Sequence, residues 1–132
     1  MTNINWELKI DVKNPDIFDE VEKEYGVEIP ENLRTLIIEA NAGMPDKNLF
    51  YVNGVEKVFG VMLSYNREDY DNIFTALEIM ENKRIIPFAS DPAGNLICYH
   101  NDKKVVVYIN HETDEELSTD KSLEDFINSL SC

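Results

Sequence analysis

Basic residues are scarce in this sequence. Its 132 residues hold 12 lysines and arginines against 26 aspartates and glutamates, a formal charge of -14. That balance argues against a bare nucleic-acid-binding surface, because phosphates are held by basic patches, and a partner should itself be basic. Cysteine is almost absent: Cys98 lies in an apolar run and Cys132 at the extreme C-terminus, which is no disulfide framework and fits a reducing compartment. With 5 glycines and 5 prolines there is no collagen-like repeat or flexible linker, and no internal period is visible. No stretch of 18 apolar residues occurs, and Met1 to Lys13 has no basic region followed by an apolar core. We therefore expect neither a membrane span nor a secretory signal, and a cytoplasmic protein.

What remains is an ordinary globular composition, 43% hydrophobic and 29% charged, long enough for one domain over residues 1–132 and too short for two. Ile4, Trp6, Leu8, Ile10 and Val12 alternate with polar residues, which suggests a strand or extended lead-in. Asn14, Pro15 and Asp16 precede a stripe of Ile17, Phe18, Val21 and Tyr25 that stops at Gly26, the grammar of a capped helix. Pro30 opens a second helix along Leu33, Leu36, Ile37 and Ala40. Asn53-Gly54 sits between Leu49–Val52 and Val55–Val61, the strongest hairpin signal in the chain. Residues 71–81 carry Ile73, Phe74, Leu77 and Met80 at helical spacing. Residues 84–89, 95–100 and 105–110 form a three-stranded meander, and Ser122 with Asp125 caps a last helix. This order predicts an α+β fold: a single antiparallel sheet of about five or six strands with helices mainly on one side.

Catalytic motifs are missing. No GxSxG, Walker, GxGxxG, HExxH or EF-hand spacing occurs. His100 and His111 are 11 residues apart at opposite ends of one hairpin. Cys98 and His100 share a strand face without a third group to orient them, so no catalytic residue, metal or cofactor is expected. Acidic clusters are more informative. Asp16, Asp19, Glu20, Glu22 and Glu24 surround the first helix stripe, the pattern of a solvated face. The strand directions of the meander bring the turn at Asp91 and the loop from His111 to one end of the sheet, gathering Asp91, Asn95, Glu112, Asp114, Glu115 and Glu116. Tyr65 and Tyr70 flank an Arg67-containing loop with the composition of an interface hot spot.

The run Tyr25-Gly26-Val27-Glu28-Ile29-Pro30-Glu31-Asn32-Leu33, then Ile37-Ile38-Glu39-Ala40-Asn41-Ala42-Gly43, resembles the opening signature of the SUKH superfamily. Leu63-Ser64-Tyr65-Asn66, the run from Ile86 to Asn95, and His111-Glu112 resemble its later blocks, so the resemblance spans nearly the whole chain. Ala42 departs from it, standing where a second Asn or Gly is common. The resemblance gives Gly43 and Gly94 as positive-φ stops, Pro30 and Pro87 as backbone constraints and Phe88 as core. It also implies a function: bacterial single-domain members are immunity proteins that neutralise polymorphic toxins, often nucleases, by direct binding. We expect an immunity protein that blocks the basic cleft of a cognate toxin domain, a nuclease for preference, through Tyr65, Tyr70, Asp91, Glu112, Asp114, Glu115 and Glu116. It should make no direct contact with nucleic acid or membrane. The alternatives are a regulatory protein-interaction module without a toxin, as the eukaryotic members suggest, and an enzyme acting on a small ligand at the loop end of the sheet.

Overall fold

The computed structural model describes residues 4–132. The N-terminal alternation yields only β1 (Trp6–Glu7), because Leu8 takes a left-handed φ of 58° that turns the chain and leaves its side chain 80% exposed. α1 (Ile17–Tyr25) and α2 (Glu31–Ala40) follow the predicted stripes. Ile17, Phe18 and Val21 are buried from the first, and Leu33, Leu36, Ile37 and Ala40 from the second. β2 (Met44–Pro45) pairs back onto β1, and β3 (Leu49–Val52) with β4 (Val55–Val58) forms the hairpin. Asn53 and Gly54 at its tip both have positive φ, as a type I′ turn requires.

The strand expected from Val55 to Val61 breaks at Phe59-Gly60. A Cβ on Gly60 would stand 2.6 Å from the Ser90 carbonyl oxygen, so only glycine permits this close crossing. Beyond it, β5 (Val61–Met62) joins a different sheet. α3 (Ile73–Ile79) starts at Asn72, whose side chain accepts the Thr75 N–H. β6 (Ile85–Ser90), β7 (Leu96–His100) and β8 (Val105–Ile109) form the predicted meander. An unpredicted β9 (Glu116–Ser118) pairs with β8 and places Glu116 opposite Ile109. α4 (Leu123–Ser129) begins at Ser122, whose Oγ accepts from the Asp125 N–H.

The class is α+β and the named strands all pair antiparallel, but the expected single sheet is not what forms. A five-stranded sheet in the order β5-β6-β7-β8-β9 stands beside two separate two-stranded ribbons, β1-β2 and β3-β4. The Gly60 crossing is the physical reason, because it detaches the hairpin from the sheet edge. The hairpin packs instead on the helix-facing side, where Phe50 lies 5.1 Å from Phe126 and 6.1 Å from Tyr108 between ring centres. All four helices send buried residues into this core, together with Ile86, Phe88, Tyr99, Val106 and Tyr108 of the sheet. The opposite sheet face carries a smaller cluster of Ile85, Cys98, Val107 and Ile109, against which Met80 packs.

Candidate functional site

The turn after β6 and the loop after β8 do meet at one end of the five-stranded sheet. Asn95 Oδ1 accepts the His111 N–H at 3.0 Å, and the His111 ring would stand 3.9 Å from a Cβ on Gly94. Gly94 has the expected positive φ of 89°. The acids gathered there nevertheless divide into two groups with different surroundings.

Asp91 is committed to its own turn. Its Oδ1 accepts the N–H groups of Ala93 and Asn95, and its Oδ2 accepts from Asn95 Nδ2 and, at 2.5 Å, from the Tyr108 hydroxyl. That last distance is typical of a hydrogen bond to an ionised oxygen. Desolvation is the largest single influence on this carboxyl and raises its pKa, but the four hydrogen bonds together outweigh it and hold Asp91 below its ordinary value. Burial, followed by the Asp91 contact, pushes Tyr108 up to about 12. Lys57 Nζ lies 4.9 Å from the centre of the Tyr108 ring, so this corner already holds a cation.

Glu112, Asp114, Glu115 and Glu116 are different. Among the described residues none of these four is in an ion pair, whereas a few of the acids elsewhere are. Asp19 and Glu22 of α1 are held by Arg34, Glu24 by Arg67, and Glu28 and Asp102 by Arg84. Glu22 also accepts the Ile29 N–H at 2.7 Å, which makes it part of the α1–α2 connection. Asp114 and Glu116 line a groove on the sheet face away from the helices, together with Glu81 just beyond α3. Sequence reasoning missed Glu81, since nothing local in residues 79–82 reports that they line the same groove as a loop some 30 positions later.

The tyrosines separate completely. Tyr70 is 90% exposed, while Tyr65 is 1% exposed, its ring centre 5.0 Å from that of Phe18. Tyr65 is therefore a core residue and offers a partner no surface, which corrects its expected role as an interface anchor. Arg67 is also occupied, pairing with Glu24 at 2.7 Å and lying over the Phe74 ring at 4.1 Å. The segment around them is a buried polar knot. Asn41 Nδ2 donates to the Ile10 carbonyl and to Ser64 Oγ, and its Oδ1 accepts the Tyr65 N–H. Ser64 Oγ donates to Asp69, and Asn66 bridges Asp69, the Asp11 carbonyl and the Lys13 N–H. Gly43 beside this knot lacks the positive φ that the resemblance implies. Ala42 carries the left-handed φ of 62°, and Gly43 is needed because a Cβ there would stand 2.8 Å from the Ala40 carbonyl oxygen.

Chemistry at the other candidate positions is muted. His100 is buried and its Nδ1 accepts the Lys103 N–H. Burial, and secondarily the charge of Glu116, raises the Cys98 thiol well above its ordinary value, the opposite of what a thiolate nucleophile needs. Among the described residues, no three His, Cys, Asp or Glu side chains are grouped to hold a metal ion, and no helix is long and apolar enough to cross a membrane.

No curated protein matches the chain. The SMI1 / KNR4 family (SUKH-1) matches residues 14–129, from the start of the first helix to the end of the last, and the chain belongs to that family.

Proposed function

We propose that this chain is a non-catalytic immunity protein that binds a basic toxin domain, a nuclease for preference, and blocks its active-site cleft. The observation that supports it best is the cluster of unpaired acidic residues at one end of the sheet. The carboxylates of α1 are largely tied to Arg34 and Arg67, while Glu112, Asp114, Glu115 and Glu116 stand without a cation at one end of the sheet. Charges that fold stability does not use are available for a partner. A nuclease cleft built to attract phosphate meets them as phosphate mimics, and long-range attraction speeds the encounter. Family membership favours the same reading, since it resembles what bacterial members of this superfamily do. The buried Cys98 and the hydrogen-bonded His100 give a catalytic alternative little to work with.

The test is co-expression with a panel of basic nuclease toxin domains, followed by purification of any complex and assay of the toxin in vitro. Restored growth, a stoichiometric complex and stoichiometric inhibition are expected. Protection that persists at substoichiometric amounts, or stable association with a non-toxic partner alone, would reject the proposal in favour of an enzyme or of a regulatory interaction module respectively.

A further inference from the structure

The sheet face away from the helices carries a groove of about 490 Å³ whose construction is asymmetric. Its floor is apolar: Leu96 and Ile109 stand directly opposite each other on β7 and β8, Ile85 lines it further along the sheet, in the row of His100 and Val105, and Ile79, 67% exposed, forms one wall with Met80. The cross-strand row that holds Leu96 and Ile109 continues directly into Glu116 on β9. Acids stand on both sides, Glu81 on the α3 side and Asp114 with Glu116 on the β8–β9 side, and among the described residues none of the three is in an ion pair. Among the described residues no lysine or arginine lines the groove.

We infer that this groove seats a protruding segment of a protein partner in which an apolar side chain is flanked by lysines or arginines. The apolar residue covers Ile79, Leu96 and Ile109, and the flanking cations reach Glu81 on one side and Asp114 and Glu116 on the other. Charge decides among occupants. A second copy of this chain carries -14 and is repelled by the rim, as is an anionic membrane surface. An apolar anchor inside a ring of charges is also the arrangement in which a desolvated centre holds a complex together while the rim governs its formation. The inference rests on the reading above that the partner is a basic protein, and it names the face and the contact chemistry.

The full-length chain, labelled with ¹⁵N, is titrated with a short lysine-rich peptide carrying one central tryptophan. Two comparison peptides replace the tryptophan with serine or the lysines with glutamates. Amide shifts centred on residues 79–82, 96 and 109–116 are expected with the first peptide, and at least tenfold weaker binding with either comparison. Ile79→Ser, at an exposed position that spares the core, should weaken the first peptide about tenfold, and Glu116→Gln should weaken it and reduce its salt dependence. Shifts centred on another face, equal binding of the three peptides, or an unaltered Ile79→Ser affinity would overturn the inference. So would the absence of localised shifts at millimolar peptide. Protection assays separate the two proposals: a toxin neutralised equally well by Ile79→Ser leaves the immunity reading standing and removes the groove. Peptide seated in the groove with no toxin neutralised does the reverse.

Discussion

Single residues in this chain reveal where the backbone is under load. Ala42 holds a left-handed φ of 62° between Asn41, which anchors the polar knot, and Gly43, which the packing forbids to be larger. An L-residue with a Cβ is disfavoured in that conformation by about 1 kcal/mol relative to glycine. Ala42→Gly should accordingly stabilise the protein by roughly that amount, read as a higher denaturant midpoint at unchanged slope. Tyr108 makes a second test. Its pKa rises from 10.0 in the free side chain to about 12 in the fold, so the folded state holds the proton more tightly than the unfolded one. The stabilisation is complete below pH 10 and lost as pH climbs through 12, a change of at most about 3 kcal/mol. Tyr108→Phe should be less stable than the parent at pH 7 and show a shallower decline above pH 10 in chemical denaturation. Tyr65, buried and also raised, leaves some alkaline slope in that variant.

Elements differ in how plainly the sequence announces them. α1, α2 and α4 were legible because their signals are local: a stripe at helical spacing, a Ser or Pro at the start, a stop at the end. The meander was legible from its apolar runs and turn residues, and from strand direction alone the meeting of its two loops followed. β9 was not, since Glu116-Leu117-Ser118 is too short to display alternation and owes its existence to the hydrogen bonds β8 offers. The N-terminal alternation misled for the converse reason, a regular pattern broken by one turn at Leu8. Tyr65 and Tyr70, the same residue five positions apart, lie at opposite extremes of exposure through tertiary packing that neither neighbourhood encodes. At the β8–β9 hairpin the prediction is kinetic. Glu115→Lys with Glu116→Lys should slow association with the toxin about tenfold at low salt and flatten its salt dependence, with fold stability within about 0.5 kcal/mol of the parent. Glu31→Lys with Glu39→Lys on α2 is the control, expected to change the rate far less. Glu22 cannot serve as such a control because it holds Arg34 and the Ile29 N–H. Stopped-flow mixing across a salt series decides the matter, and equal effects of the two pairs would place the contact elsewhere.

For the molecule as a whole, one core governs cohesion. Phe88 is fully buried, as the family resemblance implies, with Phe59 and Phe126 each 6.5 Å away between ring centres, and every helix contributes to the same cluster. Truncating an aromatic in such a core costs about 3–5 kcal/mol, a large part of the 5–15 kcal/mol that typically holds a domain together. Phe88→Ala should lower the thermal midpoint sharply while a single cooperative transition is retained; loss confined to one part of the chain would mean that the core is not shared. The loop over 110–115 stands outside this economy of packing. Its path is set by Asn110, whose side chain accepts the Glu112 and Thr113 N–H groups and whose backbone bonds to Asp114 and Glu115, with Thr113 Oγ1 taking the Glu115 N–H. The carboxylates of Glu112, Asp114 and Glu115 hold none of it in place. Such a loop behaves as an exchangeable cassette: its side chains can be rewritten in charge and shape, and partner preference can drift from one version to the next, while the scaffold beneath keeps its stability.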